Sequence, residues 1–452
     1  MPFIRRTLYR KRQSHLKLLL FSLVIGLFVV AFIKLTTAPQ NLPSHNPKVA
    51  STRTLDDLLE SNPPYNSEDP VKVPDDSPST SHTSIDDSKL YEMYFESVNP
   101  PKNPLKPFIS PSSMNYGKLR PGKKALSTDP HAVDAVYTYV DSSDKLWQRA
   151  FNEQKKSPED FVQPQQWRTT NELKYSMRSL YKFIKFIHHI YIIVSSPSQI
   201  PTWIDPNNPY VTFVYHPEIF PDRSHLPTFS SLTIEANLWR IEGLTNNFIY
   251  LNDDFFMARD VPRNYFFNND NALVHIERYW FPKPNSRYYH QYIYLASQYL
   301  KEEFGVGTDT VAGTYRAVMH APKLLNREAF NWTVSTFPEV YQTSSRTKFR
   351  QPKGLAYFVN MVVHSWVQQT YRSPGTFKTP AKYHRCSPSE FRFEYLKNKP
   401  QENTLMVKRI ARLKPMFWCA NNDQKVQSEE ASAAFINGME ELYAKPGPWE
   451  RG

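Results

Sequence analysis

Four short runs of mostly apolar residues constrain the fold of this chain more than any other feature. They are AVDAVYTYV at 132–140, HIYIIVS at 189–195, VTFVYH at 211–216 and NFIYL at 247–251. A strand with one face in water alternates apolar and polar side chains, whereas a strand covered on both faces reads as a nearly continuous apolar run. Between the first two runs, Leu173, Met177, Leu180, Ile184 and Ile187 recur at helical spacing behind Thr170, a residue type that caps helices. A second helix is expected over Thr233–Ile241. Strand, helix, strand, strand, helix, strand in this order predicts an α/β fold: a mainly parallel central sheet flanked by helices. After about Tyr265 the pattern is harder to follow, with aromatic helices expected around Tyr288–Tyr299 and Phe358–Val367.

The residues before 129 follow different rules. Arg5, Arg6, Arg10, Lys11, Arg12 and Lys17 precede an apolar run from Leu18 to Ile33. With Leu16 and Leu35 at its flanks the run approaches the roughly 20 residues needed to span a bilayer. The basic flank keeps the preceding end cytosolic. Pro39 directly after Thr36-Thr37-Ala38 argues against cleavage there. The expectation is a single-pass type II signal-anchor: residues 1–15 a cytosolic tail, 16–35 the transmembrane helix, 36–128 a disordered lumenal stem rich in Pro, Ser, Asp and Asn, and 129–452 one lumenal catalytic domain. Cys386 and Cys419 either form one disulfide there or stay unpaired.

The formal charge of +12 does not imply nucleic acid, because of how it is distributed. Six of the basic residues precede the apolar run. From Arg346 to Lys414 there are 15 Lys and Arg against three Glu and no Asp, a surface suited to phosphate-bearing donors.

Chemistry concentrates where the apolar runs end. The fourth passes straight into Asn252-Asp253-Asp254. Ligands of open α/β sheets sit beyond the carboxyl ends of strands, and two adjacent acids there suit a hard divalent cation, Mg²⁺ or Mn²⁺, carrying phosphate oxygens. The first run ends in Asp141-Ser142-Ser143-Asp144, where Asp141 and Asp144 either cap a turn and helix or contact a ribose, a uracil edge or a metal. Glu172 opens the first helix, where the helix dipole alone favours an acid.

Four blocks of this sequence resemble the Stealth family of sugar-phosphate transferases: DAVYTYVDSSD at 134–144; Trp167 to Asp260, containing WRTTNELKYSMRSL and FIYLNDDFFMARD; HAPKLLNREAFNWTVSTFPEVYQTSSRTKFR at 320–350; and FWCANND at 417–423. The resemblance implies a nucleotide-sugar-transferase-like sheet and transfer of a whole sugar-1-phosphate from a UDP-sugar to a mannose hydroxyl of a glycan, with UMP released. Within the family it resembles fungal xylosylphosphotransferase and the catalytic part of GlcNAc-1-phosphotransferase, and the Golgi membrane is the compartment it implies. Asp141, Asp144, Arg168, Asn171, Asn252, Arg327 and Arg346 are expected at the donor, Asp253, Asp254 and Asp423 at the metal, and His320, Arg350 and Glu172 at the reacting phosphate. Two departures stand out: Thr169-Thr170 replaces an acid that relatives more often carry, and Asn422 replaces the usual first Asp of the last block. Two other readings remain open at this point, a glycosyltransferase moving the sugar alone with UDP release and a non-catalytic glycan-binding membrane protein.

Overall fold

The computed structural model describes residues 129, 131–155, 169–278, 288–306, 310–311, 314–350, 354–387, 389–422 and 428–451. The expected tail, transmembrane helix and stem lie outside the described residues, as do Arg168 and Asp423. No helix among the described residues is long and apolar enough to cross a membrane.

All four apolar runs form strands of one sheet. β1 (Val133–Thr138), β2 (Ile187–Val194), β3 (Val211–Tyr215) and β4 (Asn247–Asn252) pair in parallel, in the order β4-β1-β2-β3. β1 is buried along nearly its whole length, so its one internal charge, Asp134, must be satisfied on the spot. Its carboxylate accepts from the Thr245 backbone N–H at 2.9 Å and meets His188 Nδ1 at 2.8 Å. Asp134 thereby fastens β2 and the turn before β4 to the central strand.

The helices between the strands are shorter than their spacing predicts. α1 (Lys145–Gln154) is capped by Asp144, and α2 (Glu172–Phe183) follows. Thr170 is not the α2 cap: Asn171 holds that place in left-handed conformation with no side-chain cap, and the Thr170 hydroxyl turns to Glu172. After β3 come a one-turn α3 (His216–Ile219) and α4 (Ser231–Glu235). The helix expected over Thr233–Ile241 breaks at Ala236 and resumes as a 3₁₀ turn, Leu238–Arg240. Gly243, at φ +84°, turns the chain into β4 with its α-carbon side against the Tyr191 hydroxyl.

The C-terminal half returns to this sheet in pieces. β5 (Phe255–Met257) follows β4 after a two-residue turn; β6 (Phe267–Asn268) and β7 (Asn271–Ile276) come next, then α5 (Tyr288–Phe304), a small hairpin of β8 (Thr310–Val311) and β9 (Thr314–Tyr315), and β10 (Lys323–Asn326). β10 adds to β4 antiparallel, the one reversed strand of the main sheet. α6 (Arg327–Thr336), α7 (Pro338–Ser345) and the almost fully buried α8 (Phe358–Arg372) form a helical layer with α5. β11 (Ala381–Arg385) joins β7 in parallel. β12 (Phe391–Leu396), α9 (Pro400–Leu413), β13 (Phe417–Asn422) and α10 (Glu429–Leu442) complete the chain, and β13 pairs antiparallel with β5. That last pairing carries the fourth block, 165 residues later in sequence, onto the acid turn.

Candidate active site

The acid turn occupies the place that strand ends leave open. Thr138 and Asn252 are register partners at the carboxyl ends of β1 and β4, so Tyr139, Asp253 and Asp254 meet just beyond the sheet. Glu172, at the start of α2, enters from the side. It is buried, and Thr169 and Thr170 both donate to its carboxylate. These hydrogen bonds do not offset its loss of water, and burial raises its pKa. Burial also pushes Asp253 well above the ordinary carboxylate range, helped by the charges of Asp254 and Glu172. Asp254 is pushed up to about 6, chiefly by burial, while a hydrogen bond from the Cys419 thiol at 3.1 Å works the other way. Three carboxyl groups therefore repel one another in a dry corner with few donors.

β10 and β13 bring the counterparts. His320 precedes β10 and stands edge-on to Phe255, ring centroids 5.0 Å apart, with Phe393 at 5.5 Å. Its ligating atoms, those of Asp254 and the Cys419 sulfur all lie within 4.8 Å of one another. Burial, then the charges of Lys323 and Arg350, push the His320 pKa down to about 3. Lys323 is a buried cation on β10, placed over the rings of Phe255 and Tyr250 and lowered in pKa by burial against the attraction of Glu235 and Asp254. Arg350 donates to Ser231 at 2.8 Å and lends its charge to His320 and Glu235.

Glu235 and Lys323 are the two residues that the sequence reading missed. Glu235 is a buried acid on α4 that accepts from the Tyr357 hydroxyl at 2.7 Å. Its signal was available: it is the one acid inside SSLTIEANLW, an otherwise uncharged segment leading into a buried strand. Lys323 likewise interrupts the apolar APKLLN. A single charge in such a run is unremarkable until burial is known.

The expected donor residues divide. Asp141 lies beside Tyr139, whose pKa is raised by burial and by Asp141, Asp253 and Glu172. Its own carboxylate takes the Ser143 N–H and hydroxyl. Asn171 is exposed next to Glu172, and Asn252 ends β4. Asp144 is occupied as a helix cap: it accepts from the Leu146 N–H at 3.0 Å and from Gln199 at 2.7 Å. Arg327 is not brought to the acids. It opens α6 at the opposite end of β4, where its guanidinium satisfies the carbonyls of Trp239 and Leu244, both at 3.0 Å. Arg346 is an exposed residue ending α7, and its charge is felt by His225. Cys386 and Cys419 are both free, so the one-disulfide alternative does not hold.

The residues present fit a cation. Asn252 Oδ1 and Asp254 Oδ1 are buried acceptors without a hydrogen-bond donor, which is the state of an oxygen that waits for an ion. Burial and the neighbouring Asp254 hold the Cys419 thiol protonated, so it serves Asp254 as a donor rather than as a thiolate ligand. What remains is an all-oxygen set, Asn252, Asp253 and Asp254, suited to a hard divalent ion.

Comparison with known proteins finds a family match over part of the chain. Residues 166–275, which hold α2, α4, β4 and the acid turn, match the family model described as Stealth protein CR2, conserved region 2. Over this region the chain is similar to the Stealth family. An exopolysaccharide phosphotransferase of Streptomyces coelicolor is 27% identical over 333 residues, covering 71% of this chain and 52% of its own length. The capsular polysaccharide phosphotransferase SacB of Neisseria meningitidis serogroup A is 28% identical over 327 residues, covering 71% and 57%. The chain thus spans about half the length of the curated relatives it matches. Among solved structures the galactosyltransferase LgtC covers 69% of this chain and 95% of its own at 11% identity, with a TM-score of 0.34, too loose a superposition to add to the description above.

Proposed function

We propose that this chain transfers a sugar-1-phosphate from a UDP-sugar to a mannose hydroxyl of a glycan, releasing UMP. The observation that carries this reading is the convergence of a neutral imidazole, His320, with a buried cation, Lys323, and a half-buried one, Arg350, on the acid turn at the end of β4. Moving a phosphoryl group calls for charge stabilisation and in-line positioning more than for covalent catalysis. The phosphotransferase names of the relatives point the same way.

In this reading Asn252, Asp253 and Asp254 hold Mg²⁺ or Mn²⁺, which when bound neutralises charge on the diphosphate. Arg350 and Lys323 contact its oxygens. The acceptor oxygen bonds to the β-phosphorus as the bond to the bridging oxygen breaks, UMP leaves, and the hydroxyl proton passes to His320. In the ligand-free domain His320 is a weak base, first because it is buried and then because Lys323 and Arg350 face it. An anionic diphosphate seated against Lys323 and Arg350 cancels their charge, so the imidazole gains basicity once the donor is in place. Glu235 keeps Arg350 and Lys323 oriented from below.

The donor sugar is xylose first and GlcNAc second, the acceptor a mannose-containing glycan. The setting is the Golgi lumen, with residues 16–35 as a type II anchor and 36–128 as a stem. These finer statements rest on the residue patterns of the four blocks and of the N-terminal segment.

Product analysis decides the reaction. Incubating the protein with a panel of UDP-sugars and α-mannosides should release UMP and yield a phosphodiester-linked product. UDP release would mean that the sugar moves alone, as in a glycosyltransferase. No turnover with any pair, alongside retained glycan binding, would leave a binding protein.

A further inference from the structure

A second set of metal-type donors lies behind the acid turn, on the β7–β11 sheet, and plays no part in the proposed reaction. His384 Nε2, the Cys386 sulfur and a Glu390 carboxylate oxygen all lie within 4.8 Å of one another. The parallel register of β7 and β11 sets His275 directly beside His384, with ring centroids 4.9 Å apart. His275 is 6% exposed, and neither of its ring nitrogens makes a hydrogen bond of good geometry, although the Tyr265 main chain is close by. A buried imidazole without a partner is costly, so its retention needs a reason.

The distances suit ligands of one ion better than a hydrogen-bonded pair. His384 Nε2 lies 3.6 Å from Glu390 Oε1, too long for a hydrogen bond, and that nitrogen too is buried and unpartnered. Two donors each about 2.0–2.1 Å from a tetrahedral ion sit about 3.4 Å apart. Cys386 is buried, with the Tyr265 hydroxyl 3.9 Å from its sulfur. Burial raises the Cys386 pKa, so an ion bound there would displace the thiol proton. The resulting thiolate and the Glu390 carboxylate balance a divalent charge, and sulfur with imidazole selects zinc over the hard ions expected at the acid turn.

We propose that His384, Cys386 and Glu390 bind a structural zinc ion, with the neighbouring His275 turning in as the fourth ligand. The ion would clamp segments that lead to the active site. The Met319 N–H bonds to the His275 carbonyl at 3.1 Å, one residue before His320. Glu390 precedes β12, whose Phe393 packs on His320, and its carbonyl receives the Phe417 N–H at the start of β13. This inference is independent of the substrate and of the reaction.

Metal analysis of the full chain tests it. After dialysis against EDTA strong enough to remove magnesium, one zinc per chain should remain, and His384→Ala should reduce it to background. Because the chain has two cysteines, the Cys419→Ser protein isolates the thiol in question. Titrating that protein with Co²⁺ after zinc has been stripped should produce a thiolate-to-cobalt charge-transfer band, which His275→Ala weakens or shifts. Zinc-free wild type together with a Cys419→Ser protein that gives no band would overturn the proposal. So would a band in the wild type that disappears in Cys419→Ser, since it would place the ion on the other thiol.

Discussion

Glu450 and Asp254 are both sequestered carboxylates, yet the chain treats them in opposite ways. Glu450 is 7% exposed at its side chain and is gripped by Arg178 through two hydrogen bonds of 2.7 Å. The same guanidinium reaches Glu440 at 2.7 Å and the Tyr443 carbonyl at 3.0 Å. Every guanidinium nitrogen of that lock has an acceptor, and its effect is to fix the C-terminal segment onto α2. Asp254 has a thiol on one oxygen and no hydrogen-bond partner on the other, with Asp253 and Glu172 repelling it. A satisfied buried pair specifies structure; an unsatisfied acid cluster stores affinity for something not yet bound.

The sharpest way to break this contrast is to neutralise each acid in turn. Asp254→Asn should lower turnover by about a thousand-fold or more, since the group that would hold the metal contributes several kcal/mol to the transition state. Its melting temperature should hold or rise, because one like charge is removed. A variant that keeps full turnover with the divalent ion chelated would end the metal assignment.

Next in size is the lock. Arg178→Ala leaves Glu450 buried without its cation, with only the Gly447 N–H on one oxygen, and such a break costs about 3–5 kcal/mol. Chemical denaturation should register that loss, while KM for the UDP-sugar stays unchanged at a temperature where the variant is folded. A stability loss below about 1 kcal/mol, as for an exposed pair, would show that the lock is no more than a surface contact.

The smallest effect is one of pH. Asp254 is raised to about 6, so the folded state favours its protonated form. That contribution is fully present below the ordinary carboxylate value and is lost as pH rises through about 6. His320, lowered to about 3, has the opposite sign: its contribution is present above the ordinary imidazole value, about 6.5, and is lost as pH falls. The difference in stability between Asp254→Asn and the ligand-free wild type isolates the first slope. It should move in favour of the variant from about pH 4 through 6, and added divalent ion should cancel the gain. A flat difference would mean that Asp254 is not strained in the ligand-free protein.

How much of this was legible depended on how local the signal was. The four strands of the parallel sheet stood out because burial on both faces writes itself into consecutive residues. The acid turn was legible for the same reason, as polarity switches on where NFIYL ends. The helix break at Ala236 was not, since a 3₁₀ turn and an α-turn share most of their spacing. Arg327 resembled a phosphate contact by its distance from His320 in sequence. Only the reversal of β10 shows that it faces the far end of β4.

The sequence by itself determined the sheet and the turn where its acids gather, because strand burial and strand ends are local properties of the chain. Tertiary structure alone decided the membership of the site. Glu235, Lys323 and Cys419 come from three separate segments, and antiparallel pairing of β10 with β4 and of β13 with β5 delivers the last two. The perturbed ionisation of Asp254 and His320 is equally non-local. It arises from water excluded by Phe255 and Phe393 and from charges close in space but distant along the chain.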